Sequence, residues 1–334
     1  MEKKLTIRDI ADMSGVAKST VSRYLNGGSV RAETGQKIKK VIEAHNYEPN
    51  VFARLSAKNS RIVGLIVPGF DSIVTPGLVE LIVAYLKRYD YTPLIMHTGD
   101  VLAEEIKSIE RLTNMNADGI MVLASGITEQ HRAAVEKANI PVLFLGQRYM
   151  QGNSVINDDY HAGLELGRYL GAKGACRVAG LWVSEKDIAV GKERKRGVVD
   201  GLGEFGVQEI EFLETSFFYR DAVKAAEELF ARKEWPDTVV CATDRIAEGV
   251  YKVLYQKRAR IPEDVSVTGF GDYETSEILC PPLTTIRLNL ENWGEISAET
   301  MLQMIQGKPV SKLQVNSYEL IERSSVADRG QNRI

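Results

Sequence analysis

Between Gly15 and Gly27 the chain reads GVAKSTVSRYLNG, a short stretch that gathers Lys18, Ser19, Thr20, Ser22, Arg23 and Asn26. A helix that only packs against a core has no use for such a face. Lysine and arginine reach base edges, and arginine forks onto guanine; hydroxyls and amides suit phosphate oxygens, which fix register without reading sequence. Lys18 and Ser19, at the leading end of this helix, are therefore expected at base edges, with Arg23 one turn later. Thr20, Ser22 and Asn26 are expected on phosphates. No other chemistry announces itself. No Ser/His/Asp or Cys/His set gathers at strand ends, no GxGxxG or GKS/T loop opens a first βα unit, and the four histidines form no HExxH arrangement. The expectation is a protein without catalytic residues, cofactor or metal.

The elements that would position this face are local. Thr6 with Asp9 forms a Thr-x-x-Asp capping box, Ile7, Ile10 and Ala11 give the first helix its apolar face, and MSGV stops it at Gly15. Ala17 or Lys18 starts a second helix with Val21, Tyr24 and Leu25 inward. A third runs from about Glu33 to His45, with Ile38, Val41 and Ile42 inward. Helix, glycine-containing turn and helix make a helix-turn-helix, whose second helix enters the major groove. After YEPN, where Asn50 can cap, residues 51–57 allow only two helical turns, too few to stand alone.

Charge separates this head from the rest of the chain. Residues 1–60 hold eleven Lys/Arg against six Asp/Glu, and the remainder holds 31 against 39. A basic head on an acidic body fits a nucleic-acid module joined to something that binds no polyanion. With 334 residues the chain is long enough for two or three domains. It has no apolar run near the ~20 residues a membrane span needs, and MEKKLTIRDIADMSG has no signal-peptide core, so a cytoplasmic protein is expected. Cys176, Cys241 and Cys280 have no metal-ligand spacing and read as reduced packing residues.

From Arg61 the texture becomes strand and helix in alternation. IVGLIVP, TPLIMHT, DGIMVLAS and PVLFLGQ alternate with four helices; RVAGLWVS, IEFLE, TVVCAT and VSVTGFG alternate with four more, the last near ENWGEISAETMLQMIQ. Two successive sets predict two doubly wound lobes with a ligand cleft at the carboxyl ends of their strands. The fold class expected is α/β: a small all-helical head (1–48), a hinge helix or linker (49–60) and a two-lobed body (61–334).

TIRDIADMSGVAKSTVSRYLNG, YEPN…AR, ATDRIAEG, SVTGFG and PPLTTI together resemble the LacI/GalR family of transcription regulators over essentially the whole chain. The resemblance implies a homodimer on a pseudo-palindromic double-stranded operator, a body like periplasmic sugar-binding proteins, and a hinge helix that wedges a leucine into the minor groove. The hinge here reads Ala53-Arg54-Leu55-Ser56, so the wedge falls to Leu55, and the DNA-facing set gains Thr6, Asn50 and Arg54. The tail SSVADRGQNRI lacks heptad repeats, which favours a dimer over a tetramer.

The resemblance also places the cleft. Two positions where the family often carries a sugar-binding aspartate hold Gly146 and Gly271, while Arg194 stands at the effector-binding arginine, with Lys192 and Arg148 close by in sequence. Fewer carboxylates and more cations favour an anionic ligand. Phe217 and Tyr160 are the rings available to stack on a sugar, and Asp71, Gln147, Thr243 and Asp272 complete the effector-binding set. ATD, DIAVGKER and FDS are similar to the trehalose-repressor branch, although Gly69 replaces its phosphate-binding arginine; LFLGQR, GFGDYE and LIERSSV are similar to sucrose-utilisation repressors. The function expected is a sugar-operon repressor controlled by a sugar or sugar phosphate, a disaccharide phosphate being favoured. The alternative is a global regulator whose body binds a protein corepressor.

Overall fold

The computed structural model describes residues 5–25, 28–45, 47, 60–70, 72–124 and 126–330. Three short helices form the head: α1 (Ile7–Ser14), α2 (Lys18–Leu25) and α3 (Ala32–Ala44). The capping box is present: Thr6 N–H donates to Asp9 Oδ2 at 2.7 Å and Asp9 N–H to Thr6 Oγ1 at 3.3 Å. Gly15 ends α1 at φ 66°, a left-handed conformation open to glycine. Ile10, Ala11, Val21, Ile38 and Tyr47 close a core that Leu25, Val41 and Ile42 flank.

The body holds two six-stranded sheets. The first lobe orders β11 (Leu313–Asn316), β5 (Asn153–Asn157), β4 (Val142–Leu145), β3 (Gly119–Leu123), β1 (Ile62–Val67) and β2 (Thr92–His97) side by side, all parallel. The second orders β12 (Tyr318–Ile321), β10 (Thr284–Leu288), β9 (Ser266–Gly271), β8 (Thr238–Cys241), β6 (Val178–Trp182) and β7 (Ile210–Glu214). Only β12 runs antiparallel among these described strands. β1 and β8 are buried along their whole length, as parallel strands covered on both faces must be.

Two successive sets is therefore not quite the topology. The helix Leu290–Ile305, expected in the second lobe, packs on the first: Trp293, Met301 and Leu302 share a core with Leu78, Ile82 and Leu86. β11 joins the first sheet after it, and β12 returns to the second. The chain thus crosses between lobes three times, after β5, after β10 and after β11. Side chains of Asn157, Asn289, Asn292 and Asn316 lie at these crossings. Asn316 Nδ2 donates to Asn157 Oδ1 at 2.9 Å and to the Asn289 carbonyl at 3.1 Å, and Asn292 Nδ2 donates to Asn316 Oδ1 at 2.9 Å. Alternation of strands and helices carries no information about which sheet each joins, so packing decided it. The cysteines also depart from expectation. Cys241 is buried, but Cys176 and Cys280 are exposed.

One seam sets the second lobe's geometry. The helices Asp159–Ala172 and Lys195–Gly203 lie against each other through Gly163 and Gly167 on one and Gly197 and Gly201 on the other. A Cβ at Gly197 would collide with the Tyr160 carbonyl oxygen and stand 2.7 Å from the Leu164 nitrogen; at Gly201 it would stand 2.8 Å from the Arg168 nitrogen. Backbone cannot yield as a side chain can. Gly197→Ala should therefore lower the unfolding free energy by about 1–3 kcal/mol, measured by urea titration, whereas the exposed Gly203→Ala, with nothing within 4 Å of its Cβ, should not. Equal effects at the two positions would contradict this packing.

Candidate nucleic-acid interface and ligand cleft

α2 presents the predicted face. Val21 is completely buried in the head core, while Lys18, Ser19 and Arg23 sit on the outer side with Thr20 and Ser22 half-buried between them. The first turn holds a lysine and no acid. A cation there opposes the helix dipole, so Lys18 gains nothing locally from its position; a phosphate-lined groove would repay it. Arg23 is held at its base by Gly28, whose N–H donates to the Arg23 carbonyl at 2.8 Å and whose missing Cβ would stand 2.6 Å from Arg23 Cγ. Thr6 serves the cap as well, its hydroxyl donating to Asp9 Oδ2 at 2.6 Å. Asn26, Asn50, Arg54, Leu55 and Asp71 lie outside the described residues.

If Arg23 reads a base, Arg23→Ala should cost about 1–3 kcal/mol at one operator position and relax its base preference. Thr20→Ala should weaken all sequences alike. Selection from a random duplex pool measures both; an Arg23→Ala profile identical to that of the parent chain removes Arg23 from the groove.

Of the residues expected to face a ligand, Gln147, Lys192 and Arg194, Thr243 and Asp272 follow the carboxyl ends of β4, β6, β8 and β9. After β6 the chain does not enter an ordinary helix. Residues Ile188–Arg194 form a π-helical turn capped by Asp187, whose Oδ1 accepts from Val190 N–H at 2.9 Å, and the α-helix begins only at Lys195. Such wide turns concentrate at functional sites. Trp182 Nε1 steadies the turn by donating to the Val190 carbonyl at 2.9 Å. The turn drives Arg194 inward, where it is 3 % exposed. Its Nε and Nη2 donate to Asp159 Oδ1 at 2.9 and 2.5 Å, its Nη1 donates to the Ala242 carbonyl at 2.7 Å, and its guanidinium carbon lies 4.6 Å from the Phe270 ring centre. Burial raises the proton affinity of Asp159, and the Arg194 charge opposes that rise. The pair is neutral in sum.

The remaining expected residues take varied places. Gln147, buried, donates from Nε2 to Asp187 Oδ1 at 3.1 Å. Thr243 caps the helix Asp244–Gln256, accepting from Ile246 N–H. Tyr160 turns to the neighbouring helix: its hydroxyl donates to Asp200 Oδ2 at 3.0 Å and Arg196 stacks on its ring at 4.4 Å. Phe217 is half-buried against the second-lobe core. Lys192 and Arg148 are exposed and make no ion pair among the described residues. The Asp272 carboxylate, 6 % exposed, meets Arg287 Nε at 2.6 Å and Arg323 Nη2 at 2.7 Å.

Gly146 and Gly271 answer to the backbone. Gly146 has φ 78°, Gly271 has φ 137°, and a Cβ at 271 would stand 2.8 Å from Tyr273 Cζ. A side chain at 271 would be strained at this φ and would have to displace the Tyr273 ring.

Three residues were not singled out from the sequence: Asp159, Asp187 and Asp244. Each stands just beyond a strand or crossover and opens a helix, which is the signal that marks them. Asp244 is fully buried and accepts from Thr285 Oγ1 (2.6 Å), Ser276 Oγ (2.7 Å) and Tyr273 N–H (3.1 Å). Burial pushes its pKa up to about 6.

Residues 6–50 match the family described as bacterial regulatory proteins, lacI family, and residues 60–323 match periplasmic binding proteins and sugar binding domain of LacI family. The chain is 34% identical to the sucrose operon repressor of Staphylococcus xylosus over 92% of its own length and 95% of that protein. It is 31% identical to the HTH-type transcriptional repressor PurR of Vibrio atlanticus over 96% and 98%. Among solved structures, a lac repressor dimer bound to operator and the anti-inducer ONPF superposes with a TM-score of 0.85 at 25% identity, covering 97% of this chain and all of that one.

Proposed function

The chain belongs to the LacI family of bacterial regulatory proteins, and from that premise we propose that it is a dimeric repressor of a sugar-utilisation operon whose hold on operator DNA is set by a sugar bound between its lobes. The head supports the first half: an outward Lys18, Ser19 and Arg23 over a buried Val21 is a face for a major groove. One observation carries the second half. Beneath the cleft lies a buried Arg194–Asp159 pair, neutral in sum and rich in donors and acceptors, beside the acceptor Asp187. Neutral hydroxyls suit such a floor, and the family's sucrose repressor gives the sugar class. A second reading, a phosphorylated disaccharide, draws on the exposed Lys192 and Arg148, which have no ion partner among the described residues.

Repression would then work by linkage. Sugar and operator favour different arrangements of lobes and hinges, and each shifts the other's affinity by their coupling, typically about 1–3 kcal/mol. Calorimetry with sucrose and trehalose, each with and without a 6-phosphate, tests the assignment. Binding of a neutral sugar supports the first reading. A preference of at least about tenfold for the phosphate, or about 1.4 kcal/mol, lost in Lys192→Ala, supports the second. No heat from any of them sinks both and leaves a body that binds a protein.

A further inference from the structure

Away from the crossovers, one side-chain hydrogen bond joins the lobes among the described residues: Gln147 Nε2 to Asp187 Oδ1 at 3.1 Å. Gln147 lies just past β4 of the first lobe and is 5 % exposed; Asp187 lies past β6 of the second. The backbones approach here too, since a Cβ at Gly126 would stand 3.2 Å from the Lys186 carbonyl oxygen. The lobes therefore meet at a carboxylate.

That carboxylate is half used. Oδ1 accepts from Gln147 and from Val190 N–H, while Oδ2 accepts no hydrogen bond among the described residues. No cation among them is paired with it, because Arg194 is spent on Asp159 and on the Ala242 carbonyl. Burial raises its proton affinity, and the charge of Asp159 adds to the rise. Asp187 is half-buried, so its open oxygen remains within reach of a donor that enters between the lobes. An anionic group would be repelled there. A neutral hydroxyl is the complement.

We propose that Asp187 accepts a hydroxyl of the sugar ligand on Oδ2, with Gln147 as the positioning residue that holds Oδ1 from the opposite lobe, and that this contact selects among sugars. The inference rests on the sugar reading above. A site that hydrogen-bonds a substrate hydroxyl rejects analogues lacking it far more strongly than an apolar pocket rejects a missing methylene. It also ties recognition to lobe closure, since both lobes hold the carboxylate.

The competing role is that Asp187 only caps the π-helical turn. Asparagine caps as well as aspartate, so Asp187→Asn separates the two: it retains an oxygen for Val190 N–H and replaces the open acceptor with a donor. The full chain is titrated calorimetrically with sucrose, trehalose and ribose. The sugar that binds best should bind at least about tenfold more weakly to Asp187→Asn. The melting temperature without sugar should be unchanged. Gln147→Ala should lose less. Should Asp187→Asn melt early, Asp187→Ser, which also caps, takes its place. Undiminished sugar affinity in the capping variants overturns the assignment and leaves the sugar reading standing. No heat from the unmutated chain with any of the three sugars overturns both.

Discussion

Arg194→Ala should destabilise the folded chain by about 3–5 kcal/mol, the cost of leaving a buried charge without its partner. Asp159 is 5 % exposed, and the guanidinium that Arg194 turns on it is the ion partner the structure gives it. The deficit should depend on pH. Without Arg194 the folded-state proton affinity of Asp159, already raised by burial, rises further, so the folded chain holds a proton that the unfolded chain has released. Stability of the variant then falls as pH rises above the ordinary aspartate value of about 3.9, and the deficit is smallest near pH 4. Urea unfolding at pH 4, 5.5 and 7 measures it. The double variant Asp159→Leu with Arg194→Met should recover part of the loss, because an apolar pair strands no charge. A deficit independent of pH, or a double variant worse than the single, would contradict the buried pair.

Asp244 should make the parent chain lose stability between about pH 4 and pH 6. Its folded-state pKa is raised to about 6 by burial, above the unfolded value of about 3.9. In that window the folded state binds more protons than the unfolded one, so unfolding free energy declines as pH rises. The integrated change is roughly 3 kcal/mol at 1.36 kcal/mol per unit. Asp244→Asn, which cannot ionise, should lack that decline. The difference between parent and variant is the quantity to read, since it cancels the other titrating groups. It should shrink by roughly 3 kcal/mol from pH 4 to pH 7, and a constant difference would show that the buried Asp244 is not what titrates.

These two groups also show which parts of the molecule could be read before folding. The head was legible because its logic is local: Thr6 and Asp9 stand three residues apart, Gly15 ends the helix, and Val21 with Lys18, Ser19 and Arg23 sorts into faces within two turns. The alternation of the body was legible for the same reason. The cleft was legible only in part. Arg194 stood out, but its partner Asp159 is 35 residues away, and Gln147 meets Asp187 across 40. Nothing in either segment alone encodes such a meeting. Gly146 and Gly271 read as missing carboxylates, and their positive φ angles add a demand of the backbone that the sequence alone does not show. Leu290–Ile305 read as one more helix of the second set, and only Trp293 and Met301, packed among Leu78 and Ile82, assign it to the first lobe.

If one molecule couples a base-reading head to a sugar-filled cleft, operator affinity should report it. A duplex selected by the chain from a random pool is titrated by fluorescence anisotropy, at fixed salt, with and without a saturating amount of the sugar that gives heat in calorimetry. The selected sequence should be pseudo-palindromic, and operator Kd should shift about 5–150-fold, matched by an equal shift in sugar Kd when operator is present. A sugar that binds the body and leaves operator affinity unchanged would contradict it.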